Sequence, residues 1–209
     1  MAQQKVPDKA WRVVVPLANP ATARGLLDLA LALAEPDGGE VIAVVILKSD
    51  PEEEARILEA IEPIVESYRE AGQPVTLRTP RAPNISRGIL DAIHENAADL
   101  LVLGLRKRAR GEADLGPVVR NVLTTATCDV VIFRPPLAGS GEQMKRVVVP
   151  ADGTVPARVA GRLGLLLAEH LTVPIEAMYA QESYLPHWEG LGRMEHSFEG
   201  MEGAQKVRR

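Results

Sequence analysis

The chain has 209 residues, of which 46% are hydrophobic and 25% are charged, and 28 acidic residues against 24 basic ones give a formal net charge of −4. This balance is typical of a globular protein and excludes a nucleic-acid binder with a basic face. The single cysteine, Cys128, excludes a disulfide framework. No apolar run reaches the ~18 residues of a membrane span, and the first residues lack a secretory signal. We therefore expect a cytoplasmic protein without direct membrane insertion.

Short apolar runs alternate with amphipathic stretches from residue 11 to residue 134. We predict strands at 11–17, 41–47, 74–78, 99–104 and 129–134, and helices near 20–35, 50–71, 84–96 and 117–126. The β-branched run from Val41 to Leu47 indicates a strand covered on both faces. Acids between Asp50 and Glu66 favour a helix start and indicate a solvated helix face. The alternating order predicts a doubly wound parallel sheet.

Residues 12–35 recur without a gap as residues 146–169, and 12 of the 24 aligned positions are identical. Such a long spacing indicates duplication of a whole domain rather than a solenoid repeat. The pattern of the second copy predicts a strand at 146–150, a helix near 155–170 and a strand near 173–180. We therefore divide the chain into a complete α/β domain (1–134), a Pro/Gly/Ser-rich linker (135–144), a partial β-α-β copy (145–181) and an irregular or disordered tail (182–209).

Ligands of open parallel sheets bind at the carboxyl ends of the strands, where the strand order reverses. The turn after the first strand, the end of the second strand and the loop from Gly104 to Gly116 can line that crevice. This loop carries Arg106, Lys107, Arg108 and Arg110 and leads into a helix. A helix N-terminus and nearby guanidinium groups suit an anionic group such as a phosphate. A solvated charged loop that binds nothing specific is the alternative.

Several segments together resemble the universal stress protein family. They are the lead-in Ala82-Pro-Asn-Ile85, the strand Asp99-Leu-Leu-Val-Leu-Gly104, and Gly116-Pro-Val-Val-Arg-Asn-Val122 running into Cys128-Asp-Val-Val-Ile-Phe-Arg134. The resemblance covers residues 11–134 and, as a partial copy, 145 to about 181. It implies an open five-stranded parallel sheet of order 3-2-1-4-5 with helices on both faces, and frequent dimers through the last strand (Asp129 to Arg134). It further implies a crevice that, in many members of the family, binds ATP or another adenine nucleotide.

The first domain departs from the pattern of the nucleotide-binding members. Those members carry an acid in the first turn and Gly-x2-Gly-x9-Gly-Ser/Thr after the fourth strand. Gly104 and Gly116 match the first and last glycine, but Ala18 stands at the acid, Lys107 at the middle glycine and Pro117 at the hydroxyl position. Proline lacks both the hydroxyl and the backbone N–H that would face a phosphate.

The second copy shows the opposite departure. Its turn Asp152-Gly153-Thr154 matches the acid-glycine-hydroxyl pattern of the family. Its phosphate-binding half would lie beyond residue 209. Neither copy alone therefore carries the complete nucleotide pattern, and basic residues such as Lys107 would have to hold a phosphate by charge.

These observations predict a dimeric regulatory stress-response protein that binds an adenine or other anionic nucleotide weakly or in altered fashion. The candidate ligand-binding residues are Asn19, Gly104, Arg106, Lys107, Arg108, Gly116 and Val118, with Asp152 in an incomplete second site. The alternative is a module that binds no nucleotide and regulates a membrane transporter or another partner. It is favoured because the Pro-Leu-Ala-Asn-Pro turn resembles stress-protein domains fused to bacterial permeases and antiporters. We predict no catalytic residues, since slow ATP hydrolysis would have only Glu112 or Asp114 as a general base. We also predict no metal-binding residues.

Overall fold

The computed structural model describes residues 11–34, 38–48, 50–105, 115–134, 144–179, 195–201, 204 and 207–208. The chain divides into two compact units, residues 1–135 and residues 136–209. Each unit has its own parallel β-sheet.

The first unit is an open sheet of five parallel strands in the order β3-β2-β1-β4-β5. Its elements in chain order are β1 Arg12–Pro16, α1 Pro20–Ala34, β2 Glu40–Val44, α2 Pro51–Glu70, β3 Val75–Arg78, α3 Ile85–Glu95, β4 Leu100–Gly104, α4 Gly116–Thr125 and β5 Asp129–Phe133. A helix follows each of the first four strands, as parallel connections require. The fold class and the strand order predicted from the sequence are confirmed.

The two central strands, β1 and β4, form the middle of the core. Val13, Val14 and Val15 are fully buried, and so are Leu100 and Leu101. Alternate side chains enter opposite helical layers, because successive residues of a strand point to opposite faces. One layer joins β-strand residues to α3 and α4 through Val14, Ile42, Leu101, Ile89, Ile93 and Val122. Coverage on both faces explains why these strands are continuous apolar runs.

The carboxyl end of β2 is held close to α3. β2 ends at Val44, but Ile46 and Leu47 stay buried, and the Leu47 N–H donates to the Pro80 carbonyl at 2.9 Å. A Cβ added at Gly88 of α3 would lie only 2.6 Å from Ile46 Cγ2. The glycine at position 88 therefore permits the close approach of α3 to this end of the sheet.

The second unit contains β6 Val147–Pro150, α5 Val155–Leu171, β7 Ile175–Met178 and β8 Val207–Arg208, with the strand order β6-β7-β8. Val147 pairs with Ile175 in β6-β7, and Val13 pairs with Val41 in β1-β2. Each residue of the first pair lies 134 positions after its counterpart, which is the offset between the repeated sequences. The second unit therefore repeats the β-α-β geometry of the first.

Strand β8 extends the second unit beyond the expected β-α-β copy. Ile175 pairs with Val207 as its counterpart Val41 pairs with Val75, so β8 stands beside β7 as β3 stands beside β2. The segment 182–209 was expected to be irregular or disordered, yet its described parts supply this strand and a short helical turn at 195–200. The two-residue strand was missed because it is too short to show a hydrophobic period. The expected linker lies almost entirely outside the described residues.

Candidate functional site

The strand order reverses between β1 and β4, which lie side by side in the first sheet. The chain leaves β1 toward β2 and leaves β4 toward β5, so a crevice opens at the carboxyl ends of these strands. The described groups near it are the turn after β1, the end of β2, the end of β4 and the start of α4.

The turn after β1 is built around Asn19. Its Oδ1 accepts the N–H of Ala21 at 3.0 Å, and its carbonyl accepts the N–H and the hydroxyl of Thr22, each at 3.1 Å. Asn19 therefore caps the start of α1, which explains why a short polar residue stands there. Residues 18–20 are exposed, so the turn is accessible to a ligand.

Gly104 ends β4, and the space of its missing side chain is occupied by α1. A Cβ at this position would lie 3.0 Å from Leu26 Cδ1. Gly25, which precedes Leu26 in α1, lies against β5 in the same way, since a Cβ at Gly25 would lie 3.3 Å from Phe133 Cε1. Packing of α1 over β4 and β5 therefore gives a structural reason for Gly104, beside the ligand contact that the motif predicts.

Gly116 is required by its backbone conformation. Its φ is +77°, a region that residues with a side chain adopt at a cost, and among the described residues no atom lies within 4 Å of the Cβ position. It begins α4 and places Pro117 in the first turn, with Leu115, whose side chain has no hydrogen-bond acceptor, at the cap position. Val118 is half-buried and packs on the α3–α4 side of the core.

The basic part of the predicted site lies outside the described residues. This applies to Arg106, Lys107 and Arg108, and also to the two acids named as candidate bases, Glu112 and Asp114. The structure therefore places the turn of Asn19 and the end of β4 after two neighbouring strands of the first sheet, and leaves the loop between Leu105 and Leu115 as a sequence-based prediction.

A partly buried ion pair at the end of β2 was missed by the sequence reasoning. Arg81 donates to both carboxylate oxygens of Glu54, at 2.9 and 2.8 Å, and to the Lys48 carbonyl at 3.3 Å. The Glu54 side chain is only 11% exposed, whereas that of Arg81 is 66% exposed. The expectation that the acids of α2 form a solvated face is wrong for Glu54. The pair ties the start of α2 to the segment after β3.

The acidic turn of the second unit, residues 151–154, follows β6. Asp152 Oδ1 accepts both the N–H of Thr154 at 2.9 Å and its hydroxyl at 2.6 Å. Thr154 Oγ1 in turn accepts the N–H of Ala157, which caps α5. Gly153 has φ +81°, so the residue between the acid and the hydroxyl must be glycine or be strained. Asp152 is thus first of all a turn-forming residue.

Cys128 is half-buried, and burial raises the pKa of its thiol to about 11. A thiol with this pKa is unreactive at neutral pH, as expected for a packing residue. Among the described residues, no cluster of three or more His, Cys, Asp or Glu side chains could hold a metal ion. In the same part of the chain, no helix is long and apolar enough to cross a membrane.

Comparison with known proteins agrees with the fold. The model of the universal stress protein family matches residues 11–134. A universal stress protein structure from Archaeoglobus fulgidus is 24% identical, has a TM-score of 0.52, and covers 58% of this chain and 97% of that chain. A universal stress protein from Archaeoglobus fulgidus DSM 4304 is 16% identical, has a TM-score of 0.65, and covers 96% of this chain and 76% of that chain. No curated protein matches the chain.

The strand order and the crevice define a doubly wound α/β protein with a candidate ligand site at its switch point. Since the family model matches more than half of the residues, the chain belongs to the universal stress protein family.

Proposed function

We propose that this protein is a cytoplasmic regulator of the stress response that binds an anionic nucleotide, an adenine nucleotide in the first instance, in the crevice of the first unit. Because Ala18, Lys107 and Pro117 replace residues of the family pattern, binding is weaker than in members that keep the pattern, or altered in geometry. The protein regulates its target through its nucleotide-bound state and carries out no catalysis.

The start of α4 is the observation that carries this proposal. Side-chain oxygens cap the other four helices of at least ten residues that the structure describes: those of Asn19, Asp50, Asn84 and Thr154. Leu115 provides no side-chain cap for α4. The N–H groups at a helix N-terminus attract an anion, and α4 begins at the edge of the sheet where the strand order reverses.

Charge supports the same placement. Arg106, Lys107 and Arg108 precede α4 by fewer than a dozen residues, so they can supply guanidinium and ammonium groups near its first turn. Pro117 lacks an N–H, so charged side chains have to replace part of the backbone contact to a phosphate. We therefore expect the affinity to fall as the salt concentration rises.

A single substitution tests the proposed position of the phosphate. Pro117→Ser restores the N–H and the hydroxyl that the family pattern has at this position, so we expect tighter binding of ATP than in the wild type. Thr125→Ser at the other end of α4 is the matched control and should leave ATP affinity unchanged. Equal affinity of the wild type and Pro117→Ser would place the phosphate elsewhere.

We further propose that the protein is a homodimer through β5. Among the described residues β5 pairs with β4 alone, and its residues 130–133 are only half-buried. An unpaired edge with apolar side chains favours pairing with a second copy. Sedimentation equilibrium should give twice the chain mass of 22.6 kDa, and a single-chain mass at micromolar concentration would contradict the dimer.

The alternative function is an interaction module that regulates a membrane transporter or another partner. It is favoured by the internal roles of Asn19, which caps α1, and of Gly104, which makes room for Leu26. Under this alternative neither the wild type nor Pro117→Ser binds ATP, and the full chain binds the cytoplasmic part of a transporter. Binding of ATP by the wild type would reject it as the main function.

A further inference from the structure

The described segment 195–201, called the docked turn below, packs onto the second unit. Successive backbone hydrogen bonds shape it, from Phe198 N–H to the Glu195 carbonyl at 3.0 Å and from Met201 N–H to the Phe198 carbonyl at 3.2 Å. Ser197 is fully buried and Phe198 is 5% exposed. The Phe198 ring belongs to the core formed with β6, β7 and α5, so the docked turn is an integral part of that core.

Gly161 of α5 makes room for the docked turn. A Cβ at this position would lie 3.0 Å from the Ser197 carbonyl oxygen and 3.2 Å from Phe198 Cε1. At the offset of 134 its counterpart in the first unit is Leu27, which is fully buried. The small residue at 161 is therefore matched to the segment that lies on it.

Arg158 holds the docked turn from the side of α5. Its Nη1 donates to the His196 carbonyl and its Nη2 to the Glu199 carbonyl, both at 3.3 Å. A guanidinium group suits this role because its planar fork can donate to two carbonyl oxygens at once. The counterpart Arg24 likewise reaches from α1 to a later segment of its own unit, Ser67 of α2, at 3.5 Å.

The docked turn also reaches the acidic turn. Ser197 Oγ accepts the N–H of Gly153 at 3.0 Å. This N–H belongs to the acid-glycine-hydroxyl sequence that resembles the nucleotide turn of the family. An external ligand that used the Gly153 N–H would have to displace Ser197.

We propose that the docked turn is an intramolecular ligand of the acidic turn, which keeps the second unit closed to a nucleotide. The contact ties the Gly153 amide, the start of α5 and Phe198 into one element that opens or closes as a whole. The second unit therefore carries the acidic turn of the family in a self-occupied form, and Asp152 stabilises the turn instead of contacting a ligand. This inference concerns the second unit and stands independently of nucleotide binding by the first.

Amide hydrogen exchange measured by NMR on the full chain tests this proposal. In the wild type the Gly153 amide should be protected, and Ser197→Ala should raise its exchange rate by roughly tenfold, the effect of losing one buried hydrogen bond and loosening the turn. Gly161→Ala should raise the exchange rates of Gly153 and Phe198 together, because the added methyl group displaces the docked turn. Lys145→Gln, which changes an exposed side chain of the second unit outside the docked turn, is the control and should leave both rates unchanged.

Gly153 exchange in the wild type tests the proposal even if the core variants fail to fold. An unprotected Gly153 amide in the wild type would overturn the proposal, and so would equal Gly153 exchange in the wild type and in Ser197→Ala. Arg158→Gln, a change outside the core, should raise the exchange of both amides several-fold, and independent behaviour of the two amides would refute a single element. ATP at millimolar concentration should leave Gly153 exchange unchanged in the wild type, whereas protection by ATP would show that the turn is open to a ligand.

Discussion

Replacing Gly88 with alanine tests how closely α3 is held against the carboxyl end of β2. The new Cβ would lie 2.6 Å from Ile46 Cγ2, 2.9 Å from Ile46 Cδ1 and 3.0 Å from Ala82 Cβ. Overpacking of a buried site costs about 1–3 kcal/mol, and alanine recovers about 1 kcal/mol over glycine within a helix. Since Cγ2 is attached to the stiff, branched Cβ of Ile46, it cannot move away freely. The cost should therefore lie in the upper part of this range, about 2–3 kcal/mol, which leaves a net loss of about 1–2 kcal/mol in the free energy of unfolding.

Urea unfolding of a double-mutant cycle gives the decisive comparison. Ile46→Ala alone should cost about 2–4 kcal/mol, because it removes a buried side chain. In that background the two Ile46 atoms are gone and only the 3.0 Å contact with Ala82 Cβ remains, so Gly88→Ala should be neutral or stabilising by up to about 1 kcal/mol. The same destabilisation by Gly88→Ala in both backgrounds, or stabilisation of the wild type, would refute the packing argument.

Three further outcomes follow from single side chains. Arg81→Ala leaves the mostly buried Glu54 carboxylate without its partner and should cost about 1–2 kcal/mol in urea unfolding, between the values for exposed and buried pairs; no measurable change would show that solvent screens the pair. Cys128, with its pKa raised by burial to about 11 from 9.0, should react with Ellman's reagent about 100-fold more slowly than the urea-unfolded chain, and equal rates would contradict its burial. Burial and the neighbouring Asp28 raise the pKa of Tyr68 to about 12 from 10.0, so the stability that its neutral form contributes is complete below pH 10 and is lost between about pH 10 and 12. Tyr68→Phe should remove the highest step of the tyrosinate absorbance titration, and an unchanged titration would refute the assignment.

The sheet was predictable from sequence because its signals are local. The run from Val41 to Leu47 is buried throughout, and the alternation of strands and helices dictates parallel pairing. The strand order itself came from the resemblance to the family. The start of α2 was also readable, because Asp50 and the acids after it favour a helix start, and Asp50 caps α2.

Contacts between residues far apart in the chain could not be predicted from the sequence. Glu54 and Arg81 are 27 positions apart and carry no motif, so the sequence did not indicate that Glu54 is buried or that Arg81 is its partner. The two-residue strand β8 and the docked turn depend on packing partners on α5 and β7, which a local period cannot reveal. Asp152 matched a motif, yet the hydrogen bond from Gly153 to Ser197 that distinguishes its turn joins residues 44 positions apart.

Motif glycines need the structure for their interpretation. Gly104 and Gly116 look equivalent in the family pattern, but Gly104 makes room for Leu26, whereas Gly116 adopts a positive φ. Position 116 is thus restricted by conformation and position 104 by packing. The motif alone cannot separate these two causes from a ligand contact.

Titration calorimetry of the full chain with ATP tests the central claim most directly. Binding in the crevice of the first unit, with the second unit closed, predicts saturation at one ATP per chain, an affinity that falls with rising salt, and a tighter complex for Pro117→Ser. No binding heat at millimolar ATP for either protein would contradict nucleotide binding by this chain, and two ATP per chain would contradict the closed second unit.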